Sequence, residues 1–245
     1  MTNKKERLDK LLVDQGLVQS RERARALILA GKVLVNGIRV DKAGTKVLTD
    51  SSLKLKENDI PYVSRGGVKL AHALDEFKLD VEDKVALDIG ASTGGFSDCL
   101  LQRGARKVYA IDVGYGQLAW KLRQDSRVVA LERRNIRHIA PEEITEKADL
   151  AVIDISFISL TKVLTKVNEL IKEKGFIIAL IKPQFEVEKG EVGKGGIVKD
   201  PEKHTQVVEK IKSFASLHDL KAIGLTESPI LGADGNKEFL IYLTN

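Results

Sequence analysis

Residues 85–97, Val-Ala-Leu-Asp-Ile-Gly-Ala-Ser-Thr-Gly-Gly-Phe-Ser, constrain this chain more than any other stretch. Five strand-forming residues run into a glycine-rich turn, and residues 97–103 place Cys99, Leu100 and Leu101 where a helix would bury them. That is the opening strand, loop and helix of an α/β nucleotide-binding domain. Glycines let the backbone turn tightly and approach a ligand, and the helix start offers unpaired N–H groups. About twenty residues on, Lys107-Val-Tyr-Ala-Ile-Asp112 is a second apolar strand ending in a carboxylate, placed to accept hydrogen bonds from both hydroxyls of a ribose. The dinucleotide pattern Gly-x-Gly-x-x-Gly fails, because Ser92 stands where the second glycine would let a pyrophosphate sit on the backbone. A P-loop fails as well, since Gly94 and Gly95 are followed by Phe96.

What remains, Asp88-x-Gly90-x-x-x-Gly94-Gly95 with Asp112 closing the next strand, resembles the S-adenosylmethionine (SAM) loop of class I methyltransferases. The resemblance implies an α/β, Rossmann-like fold with a mostly parallel seven-stranded sheet and an antiparallel last strand. It also implies SAM contacts from Gly90, Ala91, Ser92, Thr93, Gly94, Gly95, Phe96, Asp112, Val113, Asn135 and Asp154.

Further along, residues 114–123 read as a helix and 128–131 as a third strand. Arg133, Arg134, Arg137 and His138 form a basic loop around Asn135, for which a cofactor contact, an RNA contact and a solvated surface all fit. The run 150–154 ends in Asp154, and 176–181 leads into Lys182-Pro-Gln-Phe-Glu186. Fully apolar runs suit central parallel strands buried on both faces, and ligands bind at the carboxyl ends of such strands. An acid and an amine therefore arrive at one rim of the sheet, where charged groups near a core need partners. A glycine-rich segment at 189–196 reads as a mobile loop over the site. A helix at 202–217, a strand at 222–226, a turn at 232–237 and a closing strand at 238–243 complete an antiparallel hairpin.

The first quarter of the chain differs in charge. Residues 1–60 carry thirteen Lys+Arg against eight Asp+Glu and the remainder 27 against 27, so the whole net charge of +5 lies there. A small basic domain beside a neutral larger one points to docking on a polyanion. One helix is expected over 6–16 with Leu8, Leu11 and Leu12 inward, and another over 21–30, capped by Ser20, with Ala24, Leu27 and Ile28 inward. Val33-Leu-Val, Asn36-Gly37 and Ile38-Arg-Val form a hairpin signal. The spacing from Arg7-Leu-Asp9 through Ser20-Arg21, Ala24, Leu27-Ile28 and Gly31 to Asn36-Gly37 resembles the small RNA-binding domain of a ribosomal small-subunit protein and of pseudouridine synthases. That resemblance implies a grip on structured RNA through phosphates and shape, with Arg7, Arg21, Arg25, Lys32, Arg39 and, beyond the join, Arg65 as contacts. The expected division is an RNA-binding domain at 1–60, a linker at 61–64 within a join spanning 57–64, and a catalytic domain at 65–245.

Composition narrows the classes further. A single cysteine, Cys99, rules out an internal disulfide and fits a reducing compartment. The charged first residues show no signal peptide, and the longest apolar run is too short to span a bilayer, so the expectation is a cytoplasmic protein with no membrane partner. Four scattered histidines offer no metal-ligand spacing.

Lys69, at the opening turn of a helix where the macrodipole disfavours a cation, needs a reason to be there. In order and context, Lys69, Asp154, Lys182 and Glu238 resemble the Lys-Asp-Lys-Glu tetrad of FtsJ-type ribose 2′-O-methyltransferases. The whole chain resembles the TlyA family of ribosomal RNA cytidine 2′-O-methyltransferases, which act on 16S or 23S RNA and some of which carry the historical name hemolysin. The resemblance rests on Ser64-Arg-Gly-Gly-x-Lys69, the Gly90 loop, Asp154-Ile-Ser-Phe-Ile-Ser and Lys182-Pro-Gln-Phe-Glu. Under it Lys182 is the base, Asp154 its orienting group near the methylsulfonium, Lys69 a source of positive field and Glu238 a positioner of the amines. Other methylations fit less well. Exocyclic amines usually call for Asn/Asp-Pro-Pro-aromatic after the fourth strand, and ring carbons for a cysteine nucleophile that Cys99, on the first helix, does not supply. A non-catalytic RNA-binding assembly factor is the rival reading, and membrane lysis a remote one without an amphipathic cationic helix behind it.

Overall fold

The computed structural model describes residues 4–18, 20–56, 60–188, 190–232 and 235–245, and the chain divides into two compact units, Met1–Ile60 and Pro61–Asn245. In the first, β1 (Lys5–Arg7) leads directly into α1 (Leu8–Asp14), followed by α2 (Arg21–Leu29), β2 (Val33–Val35), β3 (Ile38–Val40), β4 (Lys46–Leu48) and β5 (Leu53–Leu55). The expected helix at 6–16 begins late because residues 5–7 pair instead with β4, antiparallel. Ser20 caps α2 as expected, its hydroxyl accepting from the Arg23 N–H at 3.2 Å. Ala24, Leu27 and Ile28 then bury against Leu8, Leu11 and Leu12. Asn36 and Gly37 take φ of 51° and 82°, the pair of left-handed residues that a two-residue hairpin between β2 and β3 requires.

The second unit opens with α3 (Gly66–Glu76), then β6 (Val85–Ile89), α4 (Gly95–Gln102), β7 (Lys107–Asp112), α5 (Trp120–Arg123), β8 (Val128–Glu132), β9 (Ala148–Ile153), α6 (Leu164–Leu170), β10 (Ile171–Ile181), α7 (Pro201–Ser216), β11 (Lys221–Glu227) and β12 (Phe239–Thr244). Seven strands form one sheet in the order β11-β12-β10-β9-β6-β7-β8. β8, β7, β6, β9 and β10 run parallel, and β12 is antiparallel to both of its neighbours. All five positions of β6 are buried, as expected of a central strand covered on both faces. Each full-sized apolar side chain there contributes roughly 1.5–3 kcal/mol of burial, so an acid in its midst, Asp88, must find internal partners.

Register places the site. Ile89 pairs with Ile153, so Gly90 and Asp154 leave the sheet side by side. Ile181 pairs with Phe239, so Lys182, just past the end of β10, stands across from Glu238, just before the start of β12. The reversed direction of β12 is what brings an acid from its amino end to the carboxyl rim of the parallel strands.

One expectation needs correction. Residues 114–123 are helical only over α5, because Gly116 takes φ of 74° and the Gly114 and Gly116 N–H groups turn to Asp112 Oδ1 and Glu132 Oε1. The glycine-rich segment is anchored at its far end: Asn236 accepts from the Val198 N–H at 3.1 Å and donates to Gly196 O at 3.0 Å. Lys189 of that segment, residues 57–59 of the expected join and residues 233–234 of the expected turn lie outside the described residues. Residues 61–64 are tied to α4, the Val63 N–H donating to Asp98 Oδ2 at 2.8 Å and Gln102 Nε2 to Pro61 O at 2.9 Å.

Candidate active site

Three cavities of about 360, 190 and 430 Å³ follow one another along the carboxyl rim, and Asp154 and Ser156 line all of them. The first is an apolar slot between Ile89, Ile111, Ile136 and Ile155, edged by Asp112, Val113 and Asn135. Gly90, Ala91, Ser92, Thr93, Gly95, Phe96 and Asp88 surround the second. Lys69, Lys182, Glu238, Gln184, Phe157 and Phe185 surround the third. Of the residues expected around a cofactor, Gly94 alone lines neither of the first two. It takes φ of 91° at the start of α4, and a Cβ there would overlap Leu118 and Leu122, so its part is to make the turn. Gly90 has a similar reason, since a Cβ would come within 2.6 Å of the Asp154 carbonyl oxygen.

The Asp112 carboxylate is already part of the loop. Its Oδ2 accepts from the Ser92 N–H at 2.8 Å and its Oδ1 from the Gly114 N–H at 2.7 Å, leaving further lone pairs for a ligand in the first cavity. Asn135 Oδ1 accepts from the Arg137 N–H at 3.1 Å, a local cap at the same cavity's edge. Asp88 carries a signal that sequence reasoning missed. Ser97 donates to its Oδ2 through both backbone N–H, at 2.8 Å, and hydroxyl, at 2.6 Å. Its Oδ1 is buried with no partner, and burial pushes the carboxyl up to about 7 against those two bonds. A buried acid with an unused oxygen beside a polar cavity suits a ligand ammonium group.

All four tetrad residues line the third cavity. Lys69, buried in the first turn of α3, donates to Glu238 Oε2 at 2.5 Å, which answers why a cation sits at that helix start. Lys182 Nζ lies 2.6 Å from Asp154 Oδ1 and donates to Ser156 Oγ at 2.9 Å. The Lys182–Asp154 contact is an ion pair without hydrogen-bond alignment, and Asp154 Oδ1 is left with no aligned donor.

The reading from sequence also passed over the rest of this rim. Phe157, in a left-handed backbone conformation at φ 66° and 90% exposed, stands 5.0 Å from the Phe185 ring. Buried Glu186 accepts from the Ser159 hydroxyl at 2.6 Å and the Leu160 N–H at 2.7 Å, stitching the segment after β9 to the segment after β10. Both lie in quoted motifs, but nothing in the spacing says which partner each will find.

In the first unit the RNA-contact candidates are not equivalent. Asp9, fully buried, takes Arg7 Nε and Nη2 at 2.9 Å each and Arg21 Nη2 at 3.1 Å, and these bonds hold its carboxyl far below the usual range. Arg25 and Arg39 are exposed, the latter lying over Gly31, where a Cβ would overlap its guanidinium. Lys32 is half-buried, and Arg65 is exposed at the start of α3 in the second unit. Among the described residues no helix is long and apolar enough to cross a membrane, and no group of three or more His, Cys, Asp or Glu is placed to hold a metal.

Comparison with known proteins follows the same division. A model of FtsJ-like methyltransferases matches residues 62–245, and a model of the S4 domain matches residues 6–53. The candidate rRNA methyltransferase YqxC of Bacillus subtilis is 51% identical over 99% of this chain and 87% of its own. The 16S/23S rRNA (cytidine-2′-O)-methyltransferase TlyA of Mycobacterium tuberculosis is 45% identical over 97% of this chain and 89% of its own. A solved structure described as a candidate hemolysin of Streptococcus thermophilus superposes with a TM-score of 0.78 at 46% identity, covering 100% of this chain and 90% of that one.

Proposed function

From a chain that belongs to the FtsJ-like methyltransferase family, in its TlyA branch with an S4 domain in front, we propose methylation of the ribose 2′-hydroxyl of a cytidine in ribosomal RNA, 16S, 23S or both. The protein is an S-adenosylmethionine-dependent enzyme. When bound, that cofactor supplies an electrophilic methyl group on a sulfonium. The residues present fit it: the apolar slot beside Asp112 suits the adenosine, and the unused Oδ1 of Asp88 suits the methionine ammonium.

The observation that carries the reading is that Asp154, Ser156 and Lys182 line both the cofactor-side cavity and the cavity holding Lys69 and Glu238. A ribose in the latter would present its hydroxyl at the wall the two share. A ribose hydroxyl seated there would give its proton to Lys182 Nζ as its oxygen took the methyl group that the bound cofactor would supply. Asp154 holds that amine in place, and Lys69 with Glu238 sets the field behind it. The exposed Phe157 beside Phe185 offers a surface on which the target base can stack. Arg7, Arg21, Arg25, Lys32, Arg39 and Arg65 serve as phosphate contacts, with Asp9 aiming the first two. A ribosomal RNA substrate fits an enzyme of the cytoplasm.

Transfer of labelled methyl from S-adenosylmethionine to separated ribosomal subunits, followed by mapping of the modified ribose, tests this. A label on a base, or tight binding to subunits with no transfer, would replace the proposal, the second outcome in favour of an assembly factor.

A further inference from the structure

We infer that Ser156 is a positioning residue for the methyl transfer: its hydroxyl fixes the rotation of the Lys182 amine so that the lone pair faces the incoming ribose hydroxyl. The inference rests on Lys182 being the base and adds the group that aims it.

A neutral lysine amine has two N–H bonds and one lone pair on a freely turning Cε–Nζ bond. One partner leaves that rotation undetermined among three staggered wells, whereas two partners in fixed places determine it. Asp154 Oδ1, 2.6 Å from Nζ, is the first. Ser156 Oγ, accepting at 2.9 Å, is the second. With one N–H held by Ser156 and the amine drawn toward the Asp154 carboxylate, the lone pair is left in the remaining direction. The imperfect alignment of the Asp154 contact makes the second partner matter more, because a side-on carboxylate alone constrains rotation weakly.

Among the described residues, Ser156 is also the one hydroxyl-bearing residue that lines all three cavities, so it sits where cofactor and substrate spaces meet. The surrounding loop is held from its far end by Glu186, through Ser159 and Leu160, and therefore does not depend on the Ser156 hydroxyl for its course. In the free protein Ser156 is exposed, so water can substitute for its hydroxyl there. A ribose seated in the cavity excludes that water, and only an anchored oxygen then keeps the amine aimed.

The test uses full-length Ser156→Ala and Ser156→Thr proteins, with Lys182→Met alongside and labelled methyl transfer to ribosomal subunits as the readout. Ser156→Ala is expected to lower kcat about ten- to a hundredfold, the effect of losing one hydrogen bond to a charged or reacting group. KM for cofactor and for RNA should stay within about twofold, because an interaction that matters only in the transition state lowers kcat and kcat/KM together. Ser156→Thr, which keeps the oxygen, should restore most of kcat. Should the alanine variant fold poorly, Ser156→Cys, of similar volume and a weak acceptor, carries the same expectation. Unchanged kcat in Ser156→Ala would overturn the inference, as would a raised KM for RNA at full kcat, which would make Ser156 a substrate contact. Full activity in Lys182→Met would instead overturn the assignment of the base itself.

Discussion

The site contains the same chemical pair twice, a lysine against a carboxylate, and the two copies are built differently. Lys69 and Glu238 meet at 2.5 Å in an aligned hydrogen bond, their side chains 9% and 2% exposed, and of the three rim cavities they touch only the third, the one proposed for the substrate. Lys182 and Asp154 meet at 2.6 Å side-on, at 11% and 23% exposure, and both touch the cofactor side as well. A buried and aligned pair is locked, since neither partner can leave without stranding a charge. A partly open, misaligned pair next to a third group can exchange a proton without that penalty. Residue type alone therefore does not assign a role; alignment and the cavity each side chain reaches do.

The largest expected break comes from deleting each lysine in turn. Lys182→Met should cut kcat by about 10²–10⁴, the usual worth of a general base, with little change in thermal stability. Lys69→Met should behave in the opposite sense, costing about 3–5 kcal/mol of stability because Glu238 is left buried and unpaired. Adding Glu238→Gln to Lys69→Met should recover most of that stability without recovering activity. Differential scanning calorimetry beside a single-turnover assay separates the two cases. Equal stability losses in the two single variants would mean the pairs are not different after all.

Part of this contrast is legible in the amino-acid sequence. The apolar runs ending in Asp112 and Asp154 and leading into Lys182 announce parallel strands delivering polar groups to one rim, because strand burial on both faces leaves a strong local signature. Lys69 at a helix start announces a distant partner, since nothing local can justify it. The alignment of each pair is not legible. It depends on Ile181 lying opposite Phe239, a register set by packing over the whole sheet. The partnerships of Ser156 and Glu186 are hidden for a related reason, as each is closed by a residue from another segment of the rim. The helix α5 is shorter than its apolar rhythm suggests, because the loop before it uses two glycines for its own hydrogen bonds.

A more moderate effect sharpens the cofactor side of the comparison. Asp88, with its carboxyl raised from 3.8 to about 7, keeps a proton when folded that the unfolded chain has released between roughly pH 4 and 7. Stability of the unliganded protein should therefore fall as pH climbs through that window, and Asp88→Asn should flatten the slope. Pairing with an ammonium needs the ionised acid, so cofactor affinity should rise with pH up to about 7, at most about tenfold per unit. Calorimetry at pH 6 in two buffers of different ionisation enthalpy should show release of close to one proton per cofactor bound, and almost none at pH 8. Binding that releases no proton at pH 6 would remove Asp88 from contact with the ammonium.

The smallest effect belongs to Glu186, which acts on the open pair and not on the locked one. It joins the segment after β9, carrying Asp154 and Ser156, to the segment after β10, carrying Lys182, through two hydrogen bonds that close inside the protein. In Glu186→Gln the amide oxygen can still accept from the Leu160 N–H, and the Ser159 hydroxyl can turn to accept from the amide nitrogen, so both links survive in weakened form. Neutral bonds replace charge-assisted ones, a loss of about 1 kcal/mol spread over a loop, which predicts a three- to tenfold fall in kcat. The same change relieves the burial of a carboxylate that is raised above its ordinary range, so thermal stability should hold or rise slightly. A fall in kcat without a fall in stability would place Glu186 among the residues that keep Lys182 and Asp154 in register. A loss as deep as that of Lys182→Met would instead mean that Glu186 holds a far larger part of the rim than two hydrogen bonds can account for.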